Sequence, residues 1–266
     1  MRLISLFVIS VFFCSSCLAH EYWFEPASFF LKSGEKTPVH LYVGDGLIKD
    51  REERTYQPEK TVTFKLFSIA DVVDLKPTSV SGAMPVYEFQ SANAGSHLIA
   101  MERNWSYIKL EAQKFEDYLR EDGMEHVITA RKILGESQKE GRERYSRFIK
   151  SLLLVGDKPD STFKKTLGWK MEIVPLDDPY RNKVGGKLRF QILFDGKPLA
   201  NRTVFADNRD APTQTMKTDK TGTVRMSITH RGMWIVRLVD MKRCVTDCTD
   251  ADWESYWAAY TFGVHG

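Results

Sequence analysis

Short runs of alternating apolar and polar residues, separated by glycine and proline, constrain this fold more than any other feature. Four such runs precede residue 105, at residues 37–43, 61–67, 85–89 and 96–101. An alternation with a period of two places successive side chains on opposite faces of a strand, and the intervening Gly and Pro residues mark turns. The pattern predicts a mainly β fold that begins with a β-sandwich, in which Gly34 has a positive φ and the charged run 49–54 is an exposed loop.

A helical pattern then interrupts the strands. Residues 112–123 and 141–155 both carry apolar residues three and four apart, namely Phe115, Tyr118 and Leu119 in the first segment and Tyr145, Phe148, Ile149 and Leu152 in the second. The first segment ends at a glycine, which is a frequent helix stop. These residues predict two amphipathic helices, with a further short helix between them, in a helical insertion that covers about residues 111–156.

A second β unit follows the insertion. Its strands are expected at residues 187–194, 202–206, 223–228, 232–239 and 253–262, and Asp195-Gly196 is a hairpin turn between the first two. The turn residues 177–180 are the candidate joint between domains. The sequence therefore predicts a β-sandwich domain over residues 20–178, which contains the insertion, and an immunoglobulin-like or prealbumin-like domain over residues 179–266.

The first 19 residues have the pattern of a secretory signal. A short positive start, an apolar run from Leu3 to Phe13 and the small residue Ala19 precede His20, the predicted first residue of the mature protein. The run is too short to span a bilayer, and no other segment is apolar enough to do so. We expect a periplasmic protein without a transmembrane segment; lipidation at Cys17 is the alternative.

The net charge and the cysteines restrict the classes of protein to which this chain can belong. A formal net charge of +3 over 266 residues is too small and too dispersed to indicate a nucleic-acid-binding protein. After removal of the signal, two cysteines remain, Cys244 and Cys248, and two neighbouring cysteines in an oxidising compartment predict a local disulfide. A site made of thiolates and the surrounding carboxylates is the alternative.

The mature amino terminus is the strongest candidate for a metal site. Cleavage before His20 would give one residue both an imidazole and an α-amine, and both groups can bind a divalent ion near neutral pH. Nitrogen donors of this kind suit copper and nickel. His40 and His97, on predicted strands of the same domain, are candidates for a further ligand, and the carboxylates of Glu21 and Glu25 are alternatives. The competing interpretation is that these strand histidines are ordinary hydrogen-bonded or surface residues.

The sequence contains no motif of a known catalytic site. It has no Gly-x-Ser-x-Gly elbow, no His-Glu-x-x-His helix and no setting for a nucleophilic cysteine. Carboxylates are present, but sequence alone does not place two of them across a cleft. We therefore do not expect an enzyme.

Several segments resemble a large bacterial family of exported proteins of unknown function, often associated with nickel or cobalt uptake. They are spread over the mature chain, at residues 20–26, 31–35, 43–46, 114–119, 144–150, 167–168, 172–175 and 252–257. The resemblance implies an envelope protein that works beside a metal transport system.

Three hypotheses follow from these observations. The first is a periplasmic protein that binds nickel, cobalt or copper and presents it to an inner-membrane transporter. The second is a metal-free envelope adaptor that binds another protein or a glycan. The third is a copper-dependent oxidase that uses the amino-terminal histidine.

Overall fold

Strands make up most of the chain, as the alternating pattern predicts. The computed structural model describes residues 20–45, 47 and 49–265. The predicted signal over residues 1–19, with its possible lipidation site at Cys17, therefore lies outside the described residues. The mainly β prediction is confirmed, and the described strands pack sheet against sheet.

The strands and helices are numbered in chain order. The first half of the chain contains β1 (Glu21–Pro26), β2 (Phe30–Leu31), β3 (Lys36–Asp45), β4 (Lys49–Glu53), β5 (Thr61–Phe67), β6 (Val72–Asp74), β7 (Tyr87–Gln90), β8 (Gly95–Leu110), α1 (Ala112–Glu121) and α2 (Glu125–Ile133). The second half contains β9 (Gly141–Val155), β10 (Met171–Pro175), β11 (Lys187–Phe194), β12 (Lys197–Pro198), β13 (Thr203–Asn208), β14 (Ala211–Lys217), β15 (Thr223–Ser227), β16 (Gly232–Arg243) and β17 (Trp253–Val264). Short 3-10 turns lie at Pro58–Lys60, Lys76–Thr78, Ser161–Lys164 and Pro179–Arg181.

A large central sheet organises the described part of the protein. Its strand order is β14-β13-β16-β17-β9-β8-β5-β6, and β2 also pairs with β9. Along β9, Phe148 and Leu152 point to one face, which we call the first face, and Ile149 and Leu153 point to the second face. Both faces are therefore buried at the centre of this sheet.

Each face of the central sheet is covered by a smaller sheet. The carboxy-terminal sheet, made of β10, β11, β12 and β15, packs on the first face, and the amino-terminal sheet, made of β1, β3, β4 and β7, packs on the second face. Phe190 and Phe24, one from each small sheet, are fully buried. Burial of such a side chain contributes roughly 1.5–3 kcal/mol, so the two cores account for much of the driving force for folding.

The two helices cover a further part of the second face. Phe115, Tyr118 and Leu119 of α1 pack against Trp253 and Trp257 of β17, and the rings of Tyr118 and Trp257 are stacked with centroids 6.0 Å apart. The predicted helix over residues 112–123 and the short helix after it are confirmed as α1 and α2. The longest described helix has 10 residues, and none is long and apolar enough to cross a membrane.

The predicted helix over residues 141–155 is wrong, because this segment is strand β9. β9 pairs with β8 on one side and with β17 on the other, and nearly all of it is buried. A strand with both faces buried does not alternate between apolar and polar residues, so its apolar residues matched a helical period by coincidence. The helical insertion is therefore limited to α1 and α2.

Three further sequence expectations need correction. Residues 49–53 form the edge strand β4, where a loop was expected, and β14 was not anticipated. The last strand does not pair only within the second β unit: β17 is antiparallel to β16 and parallel to β9. The central sheet thus contains strands from both sides of the expected domain boundary; the division at residue 178 stays a prediction.

Candidate functional site

The amino-terminal strand holds His20 in a defined position. β1 begins at the next residue, and Trp23 and Phe24 are almost completely buried, with exposed fractions of 1% and 0%. The backbone carbonyl of His20 accepts a hydrogen bond of 3.1 Å from Nη2 of Arg147, and its side chain is half-buried. Arg147 of β9 therefore holds the backbone of His20, the predicted first residue of the mature protein.

Two buried arginines lie beside Tyr22, two residues after His20. Arg103 and Arg147 face each other across β8 and β9, and their guanidinium groups lie 5.0 and 4.2 Å from the ring centroid of Tyr22. Burial and the neighbouring charge of Arg147 lower the pKa of Arg103, although Tyr22 opposes this. Positive charge is thus concentrated next to His20.

Glu21, a predicted metal ligand, takes part in a buried ion-pair network. Its carboxylate pairs with the guanidinium of Arg237, which also donates a hydrogen bond of 2.7 Å from Nε to Asp207. Burial by itself lowers the pKa of Arg237, but the charges of Glu21 and Asp207 outweigh it and raise that pKa. In this structure Glu21 neutralises an arginine that joins β1 to the central sheet.

His40 lies away from His20. Its Nδ1 is 2.6 Å from Oε1 of Glu53 on β4. In the pairing of β1 with β3, His40 lies opposite Glu25, five residues beyond His20. Five residues of an antiparallel strand span about 17 Å, so the two imidazoles are not brought together.

His97 is buried in the core of the second face. It is 3% exposed, and its Nε2 is 3.0 Å from the carbonyl oxygen of Asn93. It lies opposite Leu153 on β9, six residues from Arg147, a distance of about 20 Å along the strand. Among the described residues no group of three or more His, Cys, Asp or Glu side chains is arranged to hold a metal ion.

The two cysteines are joined in the structure. Cys244 and Cys248 form a disulfide with an S–S distance of 2.10 Å. The loop they close is held by Arg144, which donates hydrogen bonds to the carbonyl oxygens of Asp247 at 3.0 Å and Thr246 at 2.7 Å. Both sulfurs are used in the disulfide, so in this structure they are not thiolate ligands.

A buried acid lies under α1. Glu143 of β9 is completely buried and accepts a hydrogen bond of 3.1 Å from the hydroxyl of Tyr118 and another from Ser255. Trp257 donates to the same Ser255 at 3.0 Å. Burial raises the pKa of Glu143 to about 7, although these hydrogen bonds and Arg147 oppose the shift.

An open cleft crosses the first face of the central sheet, where the carboxy-terminal sheet does not cover it. Two cavities of about 400 and 450 Å³ adjoin and share Glu102 of β8. Residues 165–167 and Trp169 line the first cavity, and Val245 and Thr246 of the disulfide loop line the second. Leu167, Gly168 and Trp169 donate backbone hydrogen bonds to Glu172, which fixes the first wall.

The second cavity of the cleft contains aromatic and paired charged side chains. The guanidinium of Arg144 lies 4.7 Å from the ring centroid of Trp105, whose ring meets that of Tyr256 edge to face at 5.5 Å. Arg144 and the hydroxyl of Tyr256 both donate to Glu254, each at 2.9 Å. Glu102 differs from Glu254, because no hydrogen bond or ion pair to it is found within the described residues.

Sequence reasoning missed the cleft and the acid under α1. The interpretation of residues 141–155 as a helix gave no reason to expect that Glu143 and Arg144 are buried in a sheet, as the structure shows. The usable signal was the presence of charged residues directly after an apolar strand segment, as at Glu102 and Arg103 after residues 98–101.

Comparison with known families identifies the group to which the chain is related. Residues 17–241 match the family described as a domain of unknown function, DUF4198. The chain belongs to this DUF4198 family. The family's description states no activity, location, metal or partner, so membership agrees with the resemblance to a family of unknown function and leaves export and the link to nickel or cobalt as proposals.

Comparison with individual proteins adds little to the family assignment. No curated protein matches the sequence. The solved structures to which the chain is weakly similar include three N-terminal domains of the Highly Immunogenic Outer Capsid protein (Hoc) of bacteriophage RB49, with 9% identity and a TM-score of 0.18, and dimeric latent PorU from Porphyromonas gingivalis, with 8% identity and a TM-score of 0.19. Each match covers 91% of this chain, which spans 59% of the first protein and 20% of the second. Such low TM-scores carry no argument about this DUF4198 member.

Proposed function

We propose that this protein carries nickel, cobalt or copper at its mature amino terminus and presents the ion to a membrane transporter. The observation that supports this most is the position of His20 immediately before β1. Because β1 is buried from its first residue, an α-amine freed at His20 would be held at a fixed place beside its own imidazole. A chelating pair fixed in advance loses less conformational entropy when it binds an ion.

The donor set favours transfer over storage. His20 supplies two nitrogen donors, which suit nickel and copper. His40 and His97 lie elsewhere in the fold, and Glu21 is paired with Arg237. The remaining ligand positions are therefore open to water or to groups of a receiving transporter.

The positive charge near His20 has two opposite effects on metal binding. The guanidinium of Arg147 next to the His20 carbonyl favours the unprotonated form of a nearby amine, which is the form that binds metal. The same charge repels a divalent cation. We therefore propose an exchangeable ion, bound less tightly than in a closed site of three or four ligands.

The test begins with the protein exported by its own signal. The mature start is determined by mass spectrometry, and the protein is titrated with nickel, cobalt and copper by calorimetry. We expect one ion per chain and loss of binding when one alanine is added before His20. The matched control is His40→Ala, which removes an imidazole about 17 Å along the strand from His20 and should leave binding unchanged.

Other outcomes would decide between the remaining hypotheses. A mature start elsewhere, or binding that survives the added alanine, contradicts the His20 site, and absence of binding leaves the metal-free adaptor as the working hypothesis. Substrate turnover that requires copper and an oxidant would instead support the oxidase.

A further inference from the structure

We propose that α1 and α2 form a pH-sensitive flap, which packs on the central sheet at acidic pH and opens more often as the pH rises. The inference uses none of the candidate metal ligands and does not depend on metal binding at His20. It rests on the way the two helices are attached to the sheet and on two buried carboxylates that contact them.

The two helices are attached to the central sheet at one end of a strand pair. They lie between β8 and β9, which are antiparallel neighbours paired as far as Leu110 and Gly141. Glu111 alone separates Leu110 from the start of α1, and residues 134–140 return the chain from α2 to β9. An insertion at the end of such a hairpin can move away from the sheet without breaking the pairing of β8 with β9.

The first buried carboxylate, Glu143 of β9, lies under α1. Tyr118 of α1 donates a hydrogen bond of 3.1 Å to its Oε1, and Ser255 of β17 donates another to the same atom. Its Oε2 is buried and has no hydrogen-bond partner among the described residues. Arg147, on the same strand, is the cation that favours the ionised form. A protonated Glu143 therefore suits this position better than an ionised one, which would need more donors.

The second buried carboxylate, Asp240 of β16, lies beside α2. Its Oδ1 is 3.2 Å from Nε2 of His126 on α2, and Arg202 donates to the same oxygen. Its Oδ2 is buried and has no partner within the part of the chain that the structure describes, and Lys242 is a further cation near this carboxylate. His126 adds a positive charge beside Asp240 only when its imidazole is protonated, which becomes more frequent as the pH falls.

Both contacts favour packing of the helices at acidic pH. Burial raises the pKa of Glu143 to about 7, and water that enters when the flap opens would return it towards 4.5. The packed state therefore holds this proton more tightly than the open state, and loss of the proton favours opening. Burial by itself raises the pKa of Asp240, but His126 and Arg202 outweigh it and lower that pKa, so this carboxylate stays ionised. Loss of the His126 proton then removes an attraction that holds α2.

Opening of the flap would expose aromatic surface on the second face. In the packed structure, Phe115, Tyr118 and Leu119 of α1 cover Trp253 and Trp257 of β17. Burial of these apolar side chains holds the flap on the sheet at every pH, so the two titratable contacts change only how often it opens. The flap thus makes access to the two tryptophans dependent on pH.

The test is hydrogen exchange of the mature protein, followed by mass spectrometry at pH 5 and pH 8. Protection is expressed as the ratio of the intrinsic to the observed exchange rate, which corrects for the direct effect of pH on exchange. The two pKa values of Glu143 allow a change of up to about 70-fold over this interval. We expect the protection of residues 112–133 to fall at least tenfold from pH 5 to pH 8. It should be lower than that of residues 98–101 at both pH values, because the flap opens without global unfolding.

Three variants assign the effect to the two contacts. Glu143→Gln should remove most of the change with pH, since its side chain carries no charge at either pH. His126→Asn, at a half-buried position on α2, should reduce the change by about twofold, as expected for a partly exposed ion pair. The control is Glu88→Gln, an exposed carboxylate on β7, which should leave the change intact.

Three results would overturn the proposal. The first is equal protection of residues 112–133 and 98–101, which would mean that the helices open only when the whole protein unfolds. The second is a change of less than twofold between the two pH values in the wild-type protein. The third is a full change with pH in both Glu143→Gln and His126→Asn. The first two results use the wild-type protein alone, so they remain decisive if Glu143→Gln does not fold.

Discussion

Replacement of the buried acid Glu143 by glutamine should remove a pH dependence from the stability of this protein. Glu143 is completely buried, and burial raises its pKa from 4.5 to about 7 in the folded state. The folded protein therefore holds this proton more tightly than the unfolded chain does. The contribution of Glu143 to the free energy of unfolding is therefore largest below its unfolded pKa. It falls as the pH rises from about 4.5 to about 7 and is constant above that.

The size of the effect follows from the two pKa values of Glu143. One pKa unit corresponds to about 1.4 kcal/mol, so the difference between 4.5 and about 7 corresponds to about 3 kcal/mol. Glutamine keeps the shape of the side chain and one acceptor for Tyr118 and Ser255. A buried N–H group of the glutamine amide that lacks an acceptor lowers the stability of the variant, but this loss is the same at every pH.

The measurement is urea unfolding of the wild-type protein and Glu143→Gln at several pH values between 4.5 and 8. We expect the variant to gain about 3 kcal/mol relative to the wild type between the two ends of this range. Comparison of the two proteins at each pH cancels the titration of other groups, and Glu88→Gln tests an exposed carboxylate. A stability difference between Glu143→Gln and the wild type that is constant with pH, or that shifts in favour of the wild type as the pH rises, would refute the reasoning.

Three further predictions concern a close packing contact, a buried ion pair and the disulfide, and each is checked by urea unfolding. Gly141→Ala should cost at least about 2 kcal/mol, because its Cβ would lie 2.2 Å from Cγ of Phe115; a cost below about 0.5 kcal/mol would contradict this close contact. Lys150→Met should cost about 3–5 kcal/mol, since it leaves the carboxylate of Glu172 buried without its partner, whereas Lys170→Met, which breaks the exposed pair with Asp195, should cost less than about 1 kcal/mol. Replacement of Cys244 and Cys248 by serine should cost about 2 kcal/mol, the value expected for a loop this short; no change on reduction of the wild type would mean that Arg144 alone holds the loop.

Strands with one solvent-exposed face could be located from the sequence, whereas strands buried on both faces could not. β5 and β11 lie at residues 61–67 and 187–194, as the alternation predicts, because one of their faces is more exposed than the other. The same reasoning failed for β9, because Phe148 and Ile149 are buried on opposite faces of the sheet. Because β9 was predicted to be a helix, the sequence did not reveal the buried position of Glu143 or the floor of the cleft beside Glu102.

The candidate metal ligands show the same limit. Sequence drew attention to His20, His40 and His97 because of their chemistry, but strand register decides which side chains meet. Register places His40 beside Glu53 and His97 opposite Leu153, each far along a strand from the level of His20. A shared ligand set depends on pairings between distant segments, and no local pattern encodes them.

The sequence by itself determined the mainly β class, the helix α1, and the turns at Gly34 and at Asp195-Gly196. Each of these depends on local properties, either a periodic exposed face or a backbone conformation with positive φ. The tertiary structure alone decided that β17 joins β9 in one sheet, that Arg144 meets Glu254 110 residues away, and that the Glu102 carboxylate has no hydrogen-bond or ion-pair partner among the described residues. The physical reason is that a buried charge or a two-sided strand is stabilised by contacts with remote segments, which form only when the sheets assemble.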